Sequence, residues 1–192
     1  MNVTSEDTIN CDFSASAYSN SAANGIFSTY NYDSVEKVRE FLLTHLGPFQ
    51  VAFAWAGPSV GFTDISFNEK LSTSLSETGV KINGTLVATP QAVTFSYTDF
   101  VLFTQYVQNK YWNSLIKLFS FSVPGKCRLI PALRDSDGVP GMWDSVSKQF
   151  FVNAGSGTFG YRIKGAPAAF SLRDPHRVAP SGVYARKAGE NE

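Results

Sequence analysis

Between Tyr106 and Asn113 the chain reads Tyr-Val-Gln-Asn-Lys-Tyr-Trp-Asn, setting aromatic rings beside side-chain amides in one short loop between two apolar runs. Aromatic faces stack on the apolar faces of sugar rings, and amides both donate to and accept from sugar hydroxyls. Tyr106, Asn109, Tyr111 and Trp112 are therefore the candidate ligand-binding residues. The competing reading is packing, because aromatics near strand ends also close a core.

Other chemistry finds less support. Glycoside hydrolysis needs two carboxylates flanking the scissile bond, one of them kept protonated. No Glu occurs between Thr78 and Gly189, and that span offers Asp99, Asp135, Asp137, Asp144 and Asp174, mostly in turn contexts. His45 and His176 are the only histidines, and neither has a Cys, Asp or second His at metal-ligand spacing. A Ser-His-Asp site assembles only in space, but no nucleophile elbow points to one. Gly155-Ser156-Gly157-Thr158-Phe159-Gly160 matches G-x-G-x-x-G in letters, yet a dinucleotide site requires that loop to open a helix, and Tyr161-Arg162-Ile163 reads as strand. Asp135-Ser136-Asp137-Gly138 opens like a calcium loop without the later acidic ligands, so a turn is the better reading. The expectation is no catalytic residue, no metal and no cofactor.

The elements that must carry these residues are mostly strands. Asp33-Ser34-Val35-Glu36 resembles a helix start, and Val35, Val38, Leu42 and Leu46 recur at helical spacing until Gly47-Pro48, predicting one helix near the N-terminus over about 34–46. Residues 1–32 read as loops with one or two strands, anchored by Phe13, Ile26 and Phe27. From Phe49 the period becomes two: 49–55, 62–67, 71–75, 93–97, 100–105 and 115–123 all read as strands. Val80 to Val87 is the clearest hairpin, because Asn83-Gly84 supplies the two positive φ angles of a type I′ turn. Asn83-Gly84-Thr85 is also a glycosylation sequon, for which the turn is the preferred reading.

From Leu129 to Phe159 four short apolar runs alternate with three turn-rich clusters, which is the pattern of a β-meander. Trp143, Phe151 and Phe159 are expected in one core cluster, with Gly141 and Gly157 in tight turns or bulges. After Ile163 the chain is rich in Ala, Pro and Gly. Arg173, Arg177, Arg186 and Lys187 make 165–192 a locally basic, extended arm, read either as a flexible solvated tail or as a segment that docks on another subunit.

A chain of 192 residues suits one core domain, and its 14% aromatic and 17% charged content points to a neutral, hydroxyl-rich surface. Sixteen basic and sixteen acidic residues leave no net field, which argues against nucleic acid or anionic membrane as partners. Cys11 and Cys127 fit either two buried thiols or a single bridge. The opening MNVTSEDTIN has neither the basic start nor the apolar core of a secretory signal, and no apolar run is long enough to span a membrane.

The segment from about Gly79 to Phe159 resembles the closing part of concanavalin A-like, laminin-G-like domains of phage, prophage and bacterial surface proteins. The matching residues are Leu129-Ile130-Pro131, Ser136-Asp137-Gly138, Gly141-Met142-Trp143-Asp144, Gln149-Phe150-Phe151 and 153–159, preceded by a similar hairpin at 79–89. The resemblance implies an all-β, two-sheet antiparallel jelly-roll sandwich over 1–164 and a C-terminal arm over 165–192. It implies a non-catalytic recognition module of a phage tail or fibre, located in the virion or released by lysis, with a host-surface glycan or receptor as partner. Contacts with other virion or surface proteins through the arm, and a homo-oligomer, are compatible with it. The alternatives are a purely structural virion or surface assembly protein and, remotely, a glycoside hydrolase.

Overall fold

The computed structural model describes residues 1–15, 24–29, 39–44, 50–55, 59–66, 68–90, 94, 96–97, 100–102, 116–152, 158–161 and 183–186. Among them there is no helix; every regular element is a strand, and every strand pairing is antiparallel.

β1 (Val3–Thr4) pairs with β10 (Ser96–Tyr97) as a separate two-stranded ribbon. A five-stranded sheet runs in the order β11 (Phe100–Leu102), β3 (Asn24–Thr29), β4 (Arg39–Thr44), β5 (Gln50–Trp55), β6 (Ser59–Asp64). The ten-stranded sheet begins with a meander read backwards, β15 (Gln149–Phe151), β14 (Pro140–Asp144), β13 (Cys127–Leu133) and β12 (Ile116–Val123). It continues through β2 (Ile9–Ala15), β7 (Leu71–Ser76), β8 (Gly79–Ile82) and β9 (Thr85–Ala88). A hairpin of β16 (Thr158–Tyr161) and β17 (Val183–Arg186) joins the same sheet through β12.

One expectation is corrected here. Residues 39–44, placed in a helix by the spacing of Val38, Leu42 and Leu46, form strand β4 in the middle of the five-stranded sheet. The register brings Phe27, Phe41 and Phe53 onto one rung across β3, β4 and β5. Neighbours on both sides satisfy the backbone groups of Arg39–Thr44, and such tertiary pairing overrides a helical spacing of little more than three turns. The remainder of that helix expectation lies outside the described residues. The arm expectation is refined as well: Val183–Arg186 within it are strand β17, hydrogen-bonded to β12 and β16.

The core lies on one face of the ten-stranded sheet. Cys11 and Phe13 on β2, Leu71 and Leu75 on β7, Val80 and Ile82 on β8, and Leu118, Phe121 and Val123 on β12 are all buried. Ile26 and Phe27 of the five-stranded sheet belong to the same cluster, and the Phe27 and Phe121 rings meet edge-on with centroids 5.2 Å apart. The anchors read from the sequence, Phe13, Ile26 and Phe27, are thus fully buried. Each such side chain contributes roughly 1.5–3 kcal/mol through burial.

Turns follow their residue chemistry. Asn83 and Gly84 have φ of 50° and 82° between Ile82 and Thr85, as the type I′ hairpin requires. Asn83 does more than turn the chain: its N–H donates to the Ser72 carbonyl at 2.8 Å, while its Oδ1 accepts the Ser72 N–H at 2.9 Å. Between β12 and β13, Pro124-Gly125 places proline before a glycine with φ of 75°, and the Lys126 N–H donates to the Val123 carbonyl at 2.9 Å, a type II arrangement.

Candidate functional site

Alternation along each strand gives the ten-stranded sheet a second face, opposite the core. The intervening positions there are Asn10, Asp12 and Ser14 on β2, Ser72, Ser74 and Ser76 on β7, Lys81 on β8, and Ser120 and Ser122 on β12. Serine hydroxyls and a few charges dominate it. At the described positions, Phe119 and a rung containing Trp143 and Phe150 interrupt the hydroxyls.

The first is Phe119. The pairing of β12 with β2 skips between Leu118 and Ser120, so Phe119 is the additional residue of a β-bulge. The bulge sits where β12 changes neighbour, since Ile116–Leu118 pair with β17 and Phe121–Val123 pair with β13. The half-buried Phe119 ring has the Lys117 Nζ 4.7 Å and the Lys70 Nζ 5.4 Å from its centroid. Lys70 also forms an ion pair with Asp12 at 2.9 Å. Each cation–ring contact at such a surface is worth about 0.5–1 kcal/mol.

The second group is a rung across the meander, Ile130 opposite Trp143 and Trp143 opposite Phe150, all half-buried. The Phe150 ring extends over Gly141, where an added Cβ would overlap two ring carbons and the Phe151 carbonyl oxygen. Gly141 is therefore small for close approach, and it lies in β14 rather than in the tight turn or bulge anticipated for it. The expected core cluster of meander aromatics is corrected: Phe151 is 46% exposed, and Trp143, though partly buried, lies outside the core cluster, while Met142 and Asp144 hold the inward positions of β14. A phase shift of one residue moves a side chain to the opposite face, and Trp143 falls in the outward phase. The side chain of Phe159 and the whole of Gly157 lie outside the described residues.

Three carboxylates hold the scaffold of this face. Asp144, 4% exposed, accepts the Arg128 N–H at 2.8 Å, the Val146 N–H at 3.0 Å and the Ser147 hydroxyl at 2.6 Å. Burial pushes its pKa upward, but the Arg128, Ser147 and Val146 donors together outweigh burial and hold it below the ordinary carboxylate value. It thereby ties β13 to the β14–β15 turn, in which Lys148 has φ of 59°. Asp7 accepts the Thr4 N–H and the Lys126 ammonium, each at 2.6 Å, linking the turn after β1 to the β12–β13 hairpin. Burial again opposes ionisation there, and the Lys126 and Thr4 donors overcome it. In the β13–β14 connection Arg134 donates to both Asp137 oxygens, at 3.0 and 2.5 Å, and the Val139 N–H adds a third bond at 3.1 Å. With Gly138 at φ of 72°, the sequence Asp135-Ser136-Asp137-Gly138 is a turn whose second carboxylate is engaged by arginine.

Cys11 and Cys127 are both free and buried, and desolvation raises the pKa of each thiol. No group of three or more His, Cys, Asp or Glu able to hold a metal occurs among the described residues. The G-x-G-x-x-G match ends in strand β16, which begins at Thr158, so its last residues do not open a helix. Tyr106, Asn109, Tyr111 and Trp112 lie outside the described residues, as do His45 and His176.

Sequence reasoning passed over Lys70, Lys117 and Phe119. The Lys117-x-Phe119 spacing in a strand was a legible same-face signal, whereas the approach of Lys70 depends on the pairing of β2 with both β7 and β12. Comparison with protein-family descriptions, curated proteins and solved structures finds no match to this chain.

Proposed function

We propose that the chain is a non-catalytic recognition module, a two-sheet β-sandwich of jelly-roll type that binds a host-surface glycan on a phage or prophage tail or fibre. The observation that carries this reading is the second face of the ten-stranded sheet, where partly buried rings of Phe119, Trp143 and Phe150 stand among serine hydroxyls. Sugars present apolar ring faces and many hydroxyls, and such a surface offers a partner for both. The resemblance of 79–159 to laminin-G-like domains of phage and bacterial surfaces supports the particle context. The loop bearing Tyr106, Asn109, Tyr111 and Trp112 remains a second candidate contact. Binding of Trp143→Ala and Trp112→Ala on a glycan array separates the two: loss in the first places the ligand on the sheet, and loss in the second places it on the loop.

A structural assembly protein is the second reading, favoured by a different observation. Val146, Phe151 and Val152 are 48%, 46% and 44% exposed beside β15, the terminal strand of the ten-stranded sheet. Sedimentation that shows assembly abolished by Phe151→Lys, together with a blank glycan array, would favour it. Release of reducing ends from any arrayed polysaccharide would instead favour a glycoside hydrolase.

A further inference from the structure

We infer that the centre of the second face is a site for a neutral glycan, held by hydrogen bonds to the side chains of Asn10, Ser14, Ser74 and Ser122 rather than by charge. The inference rests on the glycan-recognition reading and narrows its ligand class. Strand register sets a row of polar residues on one rung: Lys81 opposite Ser74, Ser74 opposite Asn10, Asn10 opposite Ser122, and Ser122 opposite Arg128. Asn10, Ser74 and Ser122 are half-buried at its centre, while Ser14 lies on the same face of β2, opposite Lys117 and only 9% exposed.

Among the described residues, the side chains of Asn10, Ser14, Ser74 and Ser122 have no hydrogen-bond partner. A buried hydroxyl ordinarily finds one, and leaving it without costs about 1–3 kcal/mol. Ser14 is such a hydroxyl, and a sugar hydroxyl, which both donates and accepts, satisfies it. The charges nearby are engaged within the protein: Lys70 pairs with Asp12 at 2.9 Å, and the Lys70 and Lys117 ammonium groups lie over the Phe119 ring. Lys81 and Arg128 end the rung four strand spacings apart, ~19 Å, well beyond the ~8 Å over which salt lets charges act together, so they do not converge on one anion. What the centre of the face has free is hydroxyl and amide, spaced at ~4.8 Å from strand to strand, close to the width of a pyranose ring. A hexose chain laid across the strands meets Ser74, Asn10 and Ser122 in turn. An apolar partner would bury the same groups without replacing their bonds to water.

A glycan array of neutral and charged sugars, followed by isothermal titration of the full chain with cellohexaose, maltohexaose, mannohexaose and hexagalacturonate, tests the inference. At least one neutral hexamer should bind, with an affinity that stays constant between about 50 and 300 mM salt. Asn10→Ala, Ser74→Ala and Ser122→Ala should each weaken it about threefold to tenfold, the scale of one hydrogen bond, while melting close to the parent. Ser14→Ala should weaken binding and raise the melting midpoint together, because it removes a hydroxyl that the free protein leaves unsatisfied.

Hexagalacturonate binding more tightly than every neutral hexamer, or an array on which only charged glycans bind, would overturn the neutral site and leave the glycan reading standing. Neutral-sugar binding that survives all of these substitutions, or that Ser14→Ala leaves at the parent affinity, would likewise overturn the site alone. An array blank for neutral and charged sugars alike would bring down the site and the glycan reading together.

Discussion

Phe119 and Phe121 are two residues apart on one strand, yet they serve opposite faces. Phe121 is fully buried with its ring edge-on to Phe27, whereas Phe119 is only partly buried and lies beside two lysines. A regular strand would send both rings the same way, because its side chains alternate with period two. The bulge between Leu118 and Ser120 resets the phase, so that Leu118, Phe121 and Val123 all enter the core and Phe119 is turned out. The pair teaches that residue type alone does not assign a face; a single additional residue in the ladder can move an aromatic ring from fold stability to surface chemistry.

The largest expected effect tests the difference directly. Phe121→Ala should destabilise the protein by about 3–5 kcal/mol, as for a well-packed core aromatic. Phe119→Ala should cost only about 1 kcal/mol, near the surface range. Equal losses of denaturant midpoint in the two variants would break the comparison.

Asp144 extends the contrast to a polar group on the core side. Asp144→Ala should cost about 1–3 kcal/mol, because the Arg128 and Val146 N–H groups lose a buried acceptor. Its folded pKa is depressed, so its stabilisation is fully present above the unfolded carboxylate value of about 3.9 and is lost as pH falls through the lower folded value. Between pH 7 and about pH 2, the parent should therefore lose more stability than Asp144→Asn. Parallel acid limbs in chemical denaturation would contradict that assignment.

A smaller effect probes how tightly the second face is packed. Gly141→Ala should destabilise by about 1–3 kcal/mol because the added methyl meets the Phe150 ring, a cost typical of overpacking. Phe150→Ala introduced beside it should recover part of the loss, with the Phe151 carbonyl overlap remaining. Full additivity of the two changes would mean that the ring does not rest on that glycine.

The smallest effect sharpens the role of the bulge. Deleting Phe119 leaves Leu118, Ser120 and Phe121 in simple alternation, so the inward phase of β12 survives. The shortened chain should remain folded with a loss of about 1 kcal/mol, close to that of a surface change. Collapse of the cooperative melt would show that the fork of β12 requires the bulge.

Much of the fold was legible because it depends on local chemistry. Asn83-Gly84 marked a two-residue hairpin, Ser136-Asp137-Gly138 marked a turn, and the apolar runs within 71–75, 80–87, 116–123 and 129–151 became strands joined by turns. Phe13, Ile26 and Phe27 could be named as anchors because large apolar residues in polar surroundings must find a core. The readings that failed turned on contacts between distant parts of the chain. Arg39–Thr44 carries apolar residues at spacings compatible with helix or strand, and the flanking β3 and β5 decided for strand by pairing with both its edges.

Trp143 was legible as part of a strand but not as an outward residue, since its face follows from the register that sets it between Ile130 and Phe150. The surroundings of Phe119 were less legible still, because Lys70, Asp12 and Phe119 come from three stretches of chain that only sheet pairing brings together. The sequence by itself determined most of the strands, the hairpin turns and the neutral overall charge, all properties of neighbouring residues or of their sum. Tertiary structure alone decided which face each ring occupies and which charges share it, because one bulge or one register step reverses that assignment without changing the composition of the strand.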